Sequence, residues 1–198
     1  MENIITHDFK ISRKHREKLL SQKSKIIWLT GLSGSGKSTI ANELEIGLIN
    51  KGYLTYILDG DSVRSGLNSD LKFSLQDRHE NIRRVSEILN MLLNTGIIVI
   101  ATFVSPVISD RETLKERFKE DFIEVFIDCT VSECEKRDPK GLYSRARNGE
   151  IKNFTGIDSP YEKPINPSLV INTTKVNVDE SVEKIMDYLN RRGDGIEC

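Results

Sequence analysis

The run Gly31-Leu32-Ser33-Gly34-Ser35-Gly36-Lys37-Ser38-Thr39 constrains this chain more than any other stretch. It satisfies G-x-x-x-x-G-K-[ST], and its flanks are the ones that pattern requires. Before it lies Lys25-Ile26-Ile27-Trp28-Leu29-Thr30, a β-branched and aromatic run suited to a strand buried on both faces of a parallel sheet. After it, Ile40, Ala41, Leu44, Leu48 and Ile49 recur at helical spacing up to Gly52, which reads as a stop. Glycines in such a turn let backbone N–H groups converge on phosphate oxygens, and the helix N-terminus adds a favourable partial charge. Lys37 is then expected to reach the β- and γ-phosphates of a nucleotide, and the Ser38 hydroxyl to ligate Mg²⁺. The local pattern points to a nucleotide triphosphatase or kinase.

Strand, turn and helix then recur. Tyr53–Leu58 reads as a strand running into Asp59-Gly60-Asp61, Ile97–Phe103 and Asp121–Asp128 as two more, and Leu169–Asn172 as a short fifth. Ser74 to Asp77 has the spacing of a capping box, and Ile82, Val85, Leu89 and Leu92 give the following helix an apolar face that stops at Gly96. Val178–Leu189 reads as a closing helix. Strands alternating with helices of this length call for right-handed crossovers. The expected fold class is α/β: a P-loop kinase fold, with a five-stranded parallel sheet, helices on both faces and a basic lid. Residues 1–24 read as a charged helical extension, 25–192 as the domain, and 193–198 as a frayed tail. Within the domain, 138–167 carries Gly141, Gly149, Gly156 and several prolines without a clear period, which suits a lid.

Composition narrows the function. Of 198 residues, 29 are Lys or Arg and 30 are Asp or Glu, a net charge of −1 that argues against a uniformly basic nucleic-acid binder. No apolar run approaches the roughly 20 residues of a membrane span. The polar start from Met1 to Lys10 lacks a signal-peptide core, and Cys129, Cys134 and Cys198 form neither a metal-ligand spacing nor an even disulfide set. A cytoplasmic protein is expected, with no membrane or nucleic-acid partner. A GTPase switch would need N-K-x-D, which is absent, and large motor ATPases need more chain. A small-molecule kinase is favoured.

Three further clusters suit that chemistry. In an extended backbone Asp59 and Asp61, two apart, face the same way past a strand end, where open α/β sheets bind ligands. One carboxylate could hold metal-bound water and the other accept the proton of an acceptor hydroxyl. Arg78 and Asn81, three apart at a helix start, share a face, with Arg64 and Phe73 nearby. A guanidinium and an amide there suit a phosphate or sulfate group and a sugar or base edge. Arg83 and Arg84 cannot both share that face, so at least one is a surface or salt-bridge residue. Arg137, Lys140, Arg145, Arg147 and Lys152, closed by Phe154-Thr155-Gly156, read as a cap over polyanionic ligands or as a solvated basic loop.

With these residues assembled, the chain resembles the adenylyl-sulfate kinases (APS kinases) from about residue 20 to 190. The blocks that carry the resemblance are Trp28 to Thr39, Leu58 to Leu67, Phe73 to Arg84, Asp138 to Tyr143 and Phe154 to Asp158. The first is common to P-loop kinases; the others are specific. The resemblance implies transfer of the ATP γ-phosphoryl group to the 3′-hydroxyl of adenylyl sulfate, with Mg²⁺. It implies that Asp61 contacts the ribose hydroxyl as general-base candidate, and that Arg64, Arg78 and Asn81 are acceptor ligands. Phe73 and Phe154 would sandwich the acceptor adenine, with Val104, Ser105 and Lys140 nearby, and Arg137 with residues near Lys175 would lie toward the ATP adenine. The family's serine before proline, here Ser105, is described as a phosphoserine intermediate. Two bound nucleotides need no protein nucleophile, which favours a turn serine that contacts substrate. A homodimer and a separate ATP sulfurylase supplying the substrate also follow from the resemblance. The chain departs from the family at Ser62, Ser65, Val107-Ile108 and Asn153, the last in place of a glycine. The alternatives are another small-molecule P-loop kinase, acting on a nucleoside, nucleotide or sugar acid, and a catalytically silent nucleotide-binding subunit.

Overall fold

The structure, a computed structural model, describes residue 7 and residues 9–193. The tail expected over 193–198 therefore lies, past residue 193, outside the described residues. Five strands, β1 (Ile26–Thr30), β2 (Thr55–Asp59), β3 (Ile98–Phe103), β4 (Phe122–Asp128) and β5 (Leu169–Asn172), form one all-parallel sheet in the order β2-β3-β1-β4-β5. The helices are α1 (Arg13–Leu20), α2 (Lys37–Asn50), α3 (Gly60–Ser65), α4 (Leu75–Asn94), α5 (Ile108–Phe118), α6 (Val131–Arg137), α7 (Leu142–Arg147) and α8 (Val178–Arg191).

Strand periodicity explains the two cores. Every residue of β1 is buried, and successive side chains point to opposite faces. Ile27 and Leu29 pack with Ile40, Leu44 and Leu48 of α2 and Ile185 and Leu189 of α8. Ile26 and Trp28 pack with Val85 and Leu89 of α4 and Leu114 and Phe118 of α5. Each such fully buried aliphatic side chain contributes roughly 1.5–3 kcal/mol relative to exposure. Trp28 also stacks on Phe103 with ring centroids 4.7 Å apart.

Three local expectations are revised. The backbone is not extended through Asp59-Gly60-Asp61: Asp59 ends β2 and caps α3, its Oδ1 accepting from the backbone N–H of Asp61 (3.0 Å) and Ser62 (3.2 Å). Ser74 does cap α4 through the Asp77 N–H, but the Asp77 carboxylate takes the Ser74 hydroxyl at 2.7 Å instead of the Ser74 N–H. The segment 138–167 holds helix α7 and a parallel bridge between Thr155 and Ser159, too short to leave a sequence period. The helix expected in residues 1–24 is α1, fastened by Arg13 to Asp121 (2.5 Å) and Ser24 (2.6 Å). Among the described residues no helix is long and apolar enough to cross a membrane.

Candidate active site

A cleft of about 710 Å³ opens beyond the carboxyl ends of the strands, where β1 lies between strands that come later in the chain. The loop between β1 and α2 forms one wall. Gly31 has φ 155°, and a Cβ there would stand 2.5 Å from the Ile127 carbonyl oxygen, so no other residue fits without moving β4. Gly36 has φ 102° and caps α2 in the left-handed region, leaving the first N–H groups of that helix aimed at the cleft. Lys37 is buried, and its Nζ donates to the carbonyls of Gly31 (3.0 Å) and Leu32 (2.8 Å). Burial pushes its ammonium down to about 8, against the pull of nearby carboxylates Asp61 and Asp59.

Ser38 Oγ, on the next residue, stands 3.5 Å from Asp59 Oδ2, which also accepts from Thr102 Oγ1 at 2.7 Å. Burial acts to raise the Asp59 carboxyl. Hydrogen bonds from Thr102 and from the backbone of Ser62 and Asp61 outweigh it and hold the group below its ordinary range. A hydroxyl beside an ionised carboxylate is a hard oxygen pair of the kind Mg²⁺ takes, with room in the cleft for the waters it retains. The described residues hold no cluster of three or more His, Cys, Asp or Glu that could hold a metal ion by themselves.

The facing wall comes from scattered segments. Asp61, exposed on α3, makes a close ion pair with Lys140 of the lid, which raises the Lys140 ammonium above its ordinary value. Arg64 places its guanidinium 4.8 Å from the Phe73 ring centroid, and Arg78 lies 5.9 Å from it. Arg64 donates to the Lys72 carbonyl, and Arg78 to those of Phe73 (3.1 Å) and Asn153 (2.7 Å). Burial lowers both guanidinium pKa values, and Arg64 lowers Arg78 further. Two half-buried guanidinium groups whose hydrogen bonds go to carbonyls still carry charge with which they could receive an anion. Asn81 is buried at the same wall, its Oδ1 held by Asn68 Nδ2 at 3.0 Å.

Not every expected residue reaches the cleft. Arg137 and Lys140 line it, whereas Arg145 pairs with Glu150 and Arg147 with Glu135 on the outside. Arg83 and Arg84 both pair with Glu80, and Arg84 with Asp70 as well. Phe73 lines the cleft, but Phe154 packs edge-on against Tyr143 at 5.0 Å, outside the lining. The Tyr143 hydroxyl donates to the Ser33 carbonyl at 2.9 Å and so ties the lid to the phosphate loop. Arg137 bonds Thr173, which with Val176, Asn177 and Val178 closes the end of the cleft near α2; Lys175 does not line it.

Val104 and Ser105 line the cleft after β3. Ser105 precedes Pro106 with φ 37°, a strained position for a residue with a side chain. Its Oγ accepts from Trp28 Nε1 at 3.1 Å and pairs with Thr30 Oγ1 at 2.9 Å. Since Thr30 Oγ1 donates its only proton to the Val104 carbonyl (2.9 Å), the Ser105 hydroxyl donates to Thr30. Trp28, Thr30, Asn68 and Tyr161 were not legible as site residues. Each acts through a long-range contact that no local pattern encodes.

Comparison with known proteins agrees with this geometry. A family model described as adenylylsulphate kinase matches residues 23–172. The chain is 56% identical to adenylyl-sulfate kinase of Clostridium acetobutylicum, over 96% of this chain and 94% of that one. It is 52% identical to the Marinobacter nauticus adenylyl-sulfate kinase, over 97% of each. A solved structure of the Mycobacterium tuberculosis APS kinase, in complex with AMPPNP and APS, superposes with a TM-score of 0.81 at 45% identity. That match covers 85% of this chain and 99% of the other. With that likeness along nearly its whole length, and a phosphate loop facing Arg64 and Arg78 across one cleft, the chain belongs to the adenylylsulphate kinase family.

Proposed function

We propose that this chain transfers the γ-phosphoryl group of ATP to the 3′-hydroxyl of adenylyl sulfate, giving 3′-phosphoadenylyl sulfate and ADP. The observation that carries the reading is one cleft with two unlike walls: Ser33, Gly34 and Gly36 to Thr39 on one side, and Arg64, Arg78 and Asn81 on the other, with Asp61 among them. The phosphate loop from Gly31 to Thr39 wraps the polyphosphate, Lys37 neutralises the transferring group, and Arg137 bounds the ATP adenine. Arg64 and Arg78 take the acceptor's phosphosulfate, Asn81 orients its ribose, and Phe73 offers a ring face to its adenine. Phe154 completes the sandwich as the lid closes, since Asn153 beside it already bonds Arg78.

Once Lys140 has moved off it onto substrate anions, Asp61 accepts the 3′-hydroxyl proton as that oxygen bonds to the γ-phosphorus and the bond from the γ-phosphorus to the β–γ bridging oxygen breaks, releasing ADP. Ser38 and Asp59 would hold Mg²⁺, which supplies charge neutralisation across the transferred phosphates when bound. Ser105, its hydroxyl spent on Trp28 and Thr30, supports the Val104–Pro106 wall and forms no covalent intermediate.

Residues 25–192 act as one domain with 138–167 as its lid and 1–24 as an extension. We propose a cytoplasmic homodimer supplied with substrate by a separate ATP sulfurylase, because the reaction consumes adenylyl sulfate that another reaction must first form. The test is ADP release from ATP and Mg²⁺ with adenylyl sulfate, with AMP, or with no acceptor. Release with adenylyl sulfate alone is expected. Release with AMP but not adenylyl sulfate would leave another small-molecule kinase, and nucleotide binding without turnover a silent subunit.

A further inference from the structure

Behind the acceptor wall lies an ion pair that the reaction does not use. Arg111 of α5 and Glu124 in mid-β4 are each 1% exposed, with Arg111 Nε 3.0 Å from Glu124 Oε1. They meet as charges, since neither that nitrogen nor either Glu124 oxygen is in hydrogen-bond geometry. Lys115 adds a second cation 3.3 Å from Glu124. The remaining Arg111 donors go to main chain in two different segments. Nη1 donates in a close contact to the Ser105 carbonyl, and Nη2 donates to the Glu162 carbonyl at 2.6 Å.

Those segments are the strained acceptor wall and the returning limb of the lid. More bonds join them: the Glu162 N–H donates to the Pro106 carbonyl at 2.9 Å, and Glu162 Oε2 accepts from the Ile108 N–H at 2.6 Å. That carboxylate replaces the cap that Val107 lacks at the start of α5. Tyr161 stacks on Phe126 and bonds Thr30, the hydroxyl that also takes the Ser105 proton.

We propose that Arg111 is a positioning residue for the acceptor site: its rigid guanidinium fork couples lid residue Glu162 to the Ser105 backbone and so sets the Val104–Ser105 wall. The inference rests on the kinase reading given above. A planar fork can bond both carbonyls while facing Glu124; a lysine ammonium supplies the charge without that fork. Exchanging a buried ion pair for apolar residues of like volume is often neutral or stabilising, so the pair is removable without demanding collapse of the core.

The test compares wild type with Arg111→Lys and with the double variant Arg111→Met/Glu124→Met. For each, KM for adenylyl sulfate, KM for ATP and kcat are measured, along with the emission of Trp28, the single tryptophan, whose indole N–H bonds Ser105. Both variants are expected to raise KM for adenylyl sulfate about tenfold or more, a displaced wall being costly to a bound acceptor. KM for ATP should stay within about twofold, and Trp28 emission should shift before any ligand is added. An unchanged KM for adenylyl sulfate, or an equal rise in both KM values, would overturn the proposal. Failure of both variants to fold would overturn it too, by showing a merely structural pair. Absence of wild-type turnover with adenylyl sulfate would instead fail the kinase reading, and an unshifted Trp28 emission in the folded variants would then still refute the coupling.

Discussion

The two walls of the cleft are built in opposite ways. The phosphate wall is one contiguous segment, Gly31 to Thr39, slung between the fully buried β1 and the helix α2. The acceptor wall gathers α3, the start of α4, the loop after β3 and the lid. Lys37 is 8% exposed, whereas the side chains of Asp61 and Lys140 are 74% and 60% exposed. The first wall is finished before ligand arrives. The second holds exposed groups in contacts such as Lys140 on Asp61, which an acceptor would bury. Rigidity on one side and adjustment on the other is how a lid can admit a large anion and then exclude water.

The largest test of that contrast is Lys37→Ala. Loss of a buried ammonium from the finished wall is expected to lower kcat about 10²–10³-fold, measured as ADP release. Its pH dependence sharpens the point. The folded-state pKa, about 8, lies below the ordinary 10.5, so between those values the unfolded chain binds the extra proton. Stability of the ligand-free protein should therefore rise with pH across that window, and Lys37→Met should flatten the rise in a denaturation series. Binding of a non-hydrolysable ATP analogue should weaken above pH 8 as the ammonium is lost, by up to about tenfold per pH unit.

On the acceptor wall, Arg78→Ala is expected to raise KM for adenylyl sulfate about tenfold to a hundredfold while KM for ATP changes little, because charge-assisted bonds to the anion are lost. Equal changes in both constants would mean that the walls are not separate. A smaller effect is expected at Ser105→Ala. Turnover should stay within about tenfold of wild type, as the proposed direct transfer between two bound nucleotides requires. Stability should fall by roughly 1–3 kcal/mol in a denaturant titration, as the buried Trp28 N–H loses its acceptor. Smallest is Asn153→Gly. Asn153 has φ 57°, so glycine fits without strain, and both Tm and activity should hardly move.

That last residue shows what was legible. Asn153 stands where the resembling family has glycine, and the left-handed backbone explains both: asparagine is the side-chain-bearing residue that best tolerates it. The strands and the phosphate loop were readable because β1 and its flanks are local patterns of period two and 3.6. Asp59 and Asp61 both line the cleft, but not on one extended backbone, since Asp59 ends β2 and at once caps α3, which carries Asp61. The sequence left open which cations of the 137–152 cluster face the cleft, and the structure divides them: Lys140 lines it, while Glu150 and Glu135 pair Arg145 and Arg147 outside.

By itself the sequence determined the parallel α/β layering, the phosphate loop with Lys37 and Ser38, and the family, since each is written in contiguous residues. The tertiary structure alone decided that Ser105 spends its hydroxyl on Trp28 and Thr30, that Asn68 holds Asn81, and that Arg111 joins Ser105 to Glu162. Those contacts join residues up to 77 positions apart in the chain. A hydrogen bond depends on angle and ångström-scale distance, and only the packing of β1, β3 and β4 against their helices sets these.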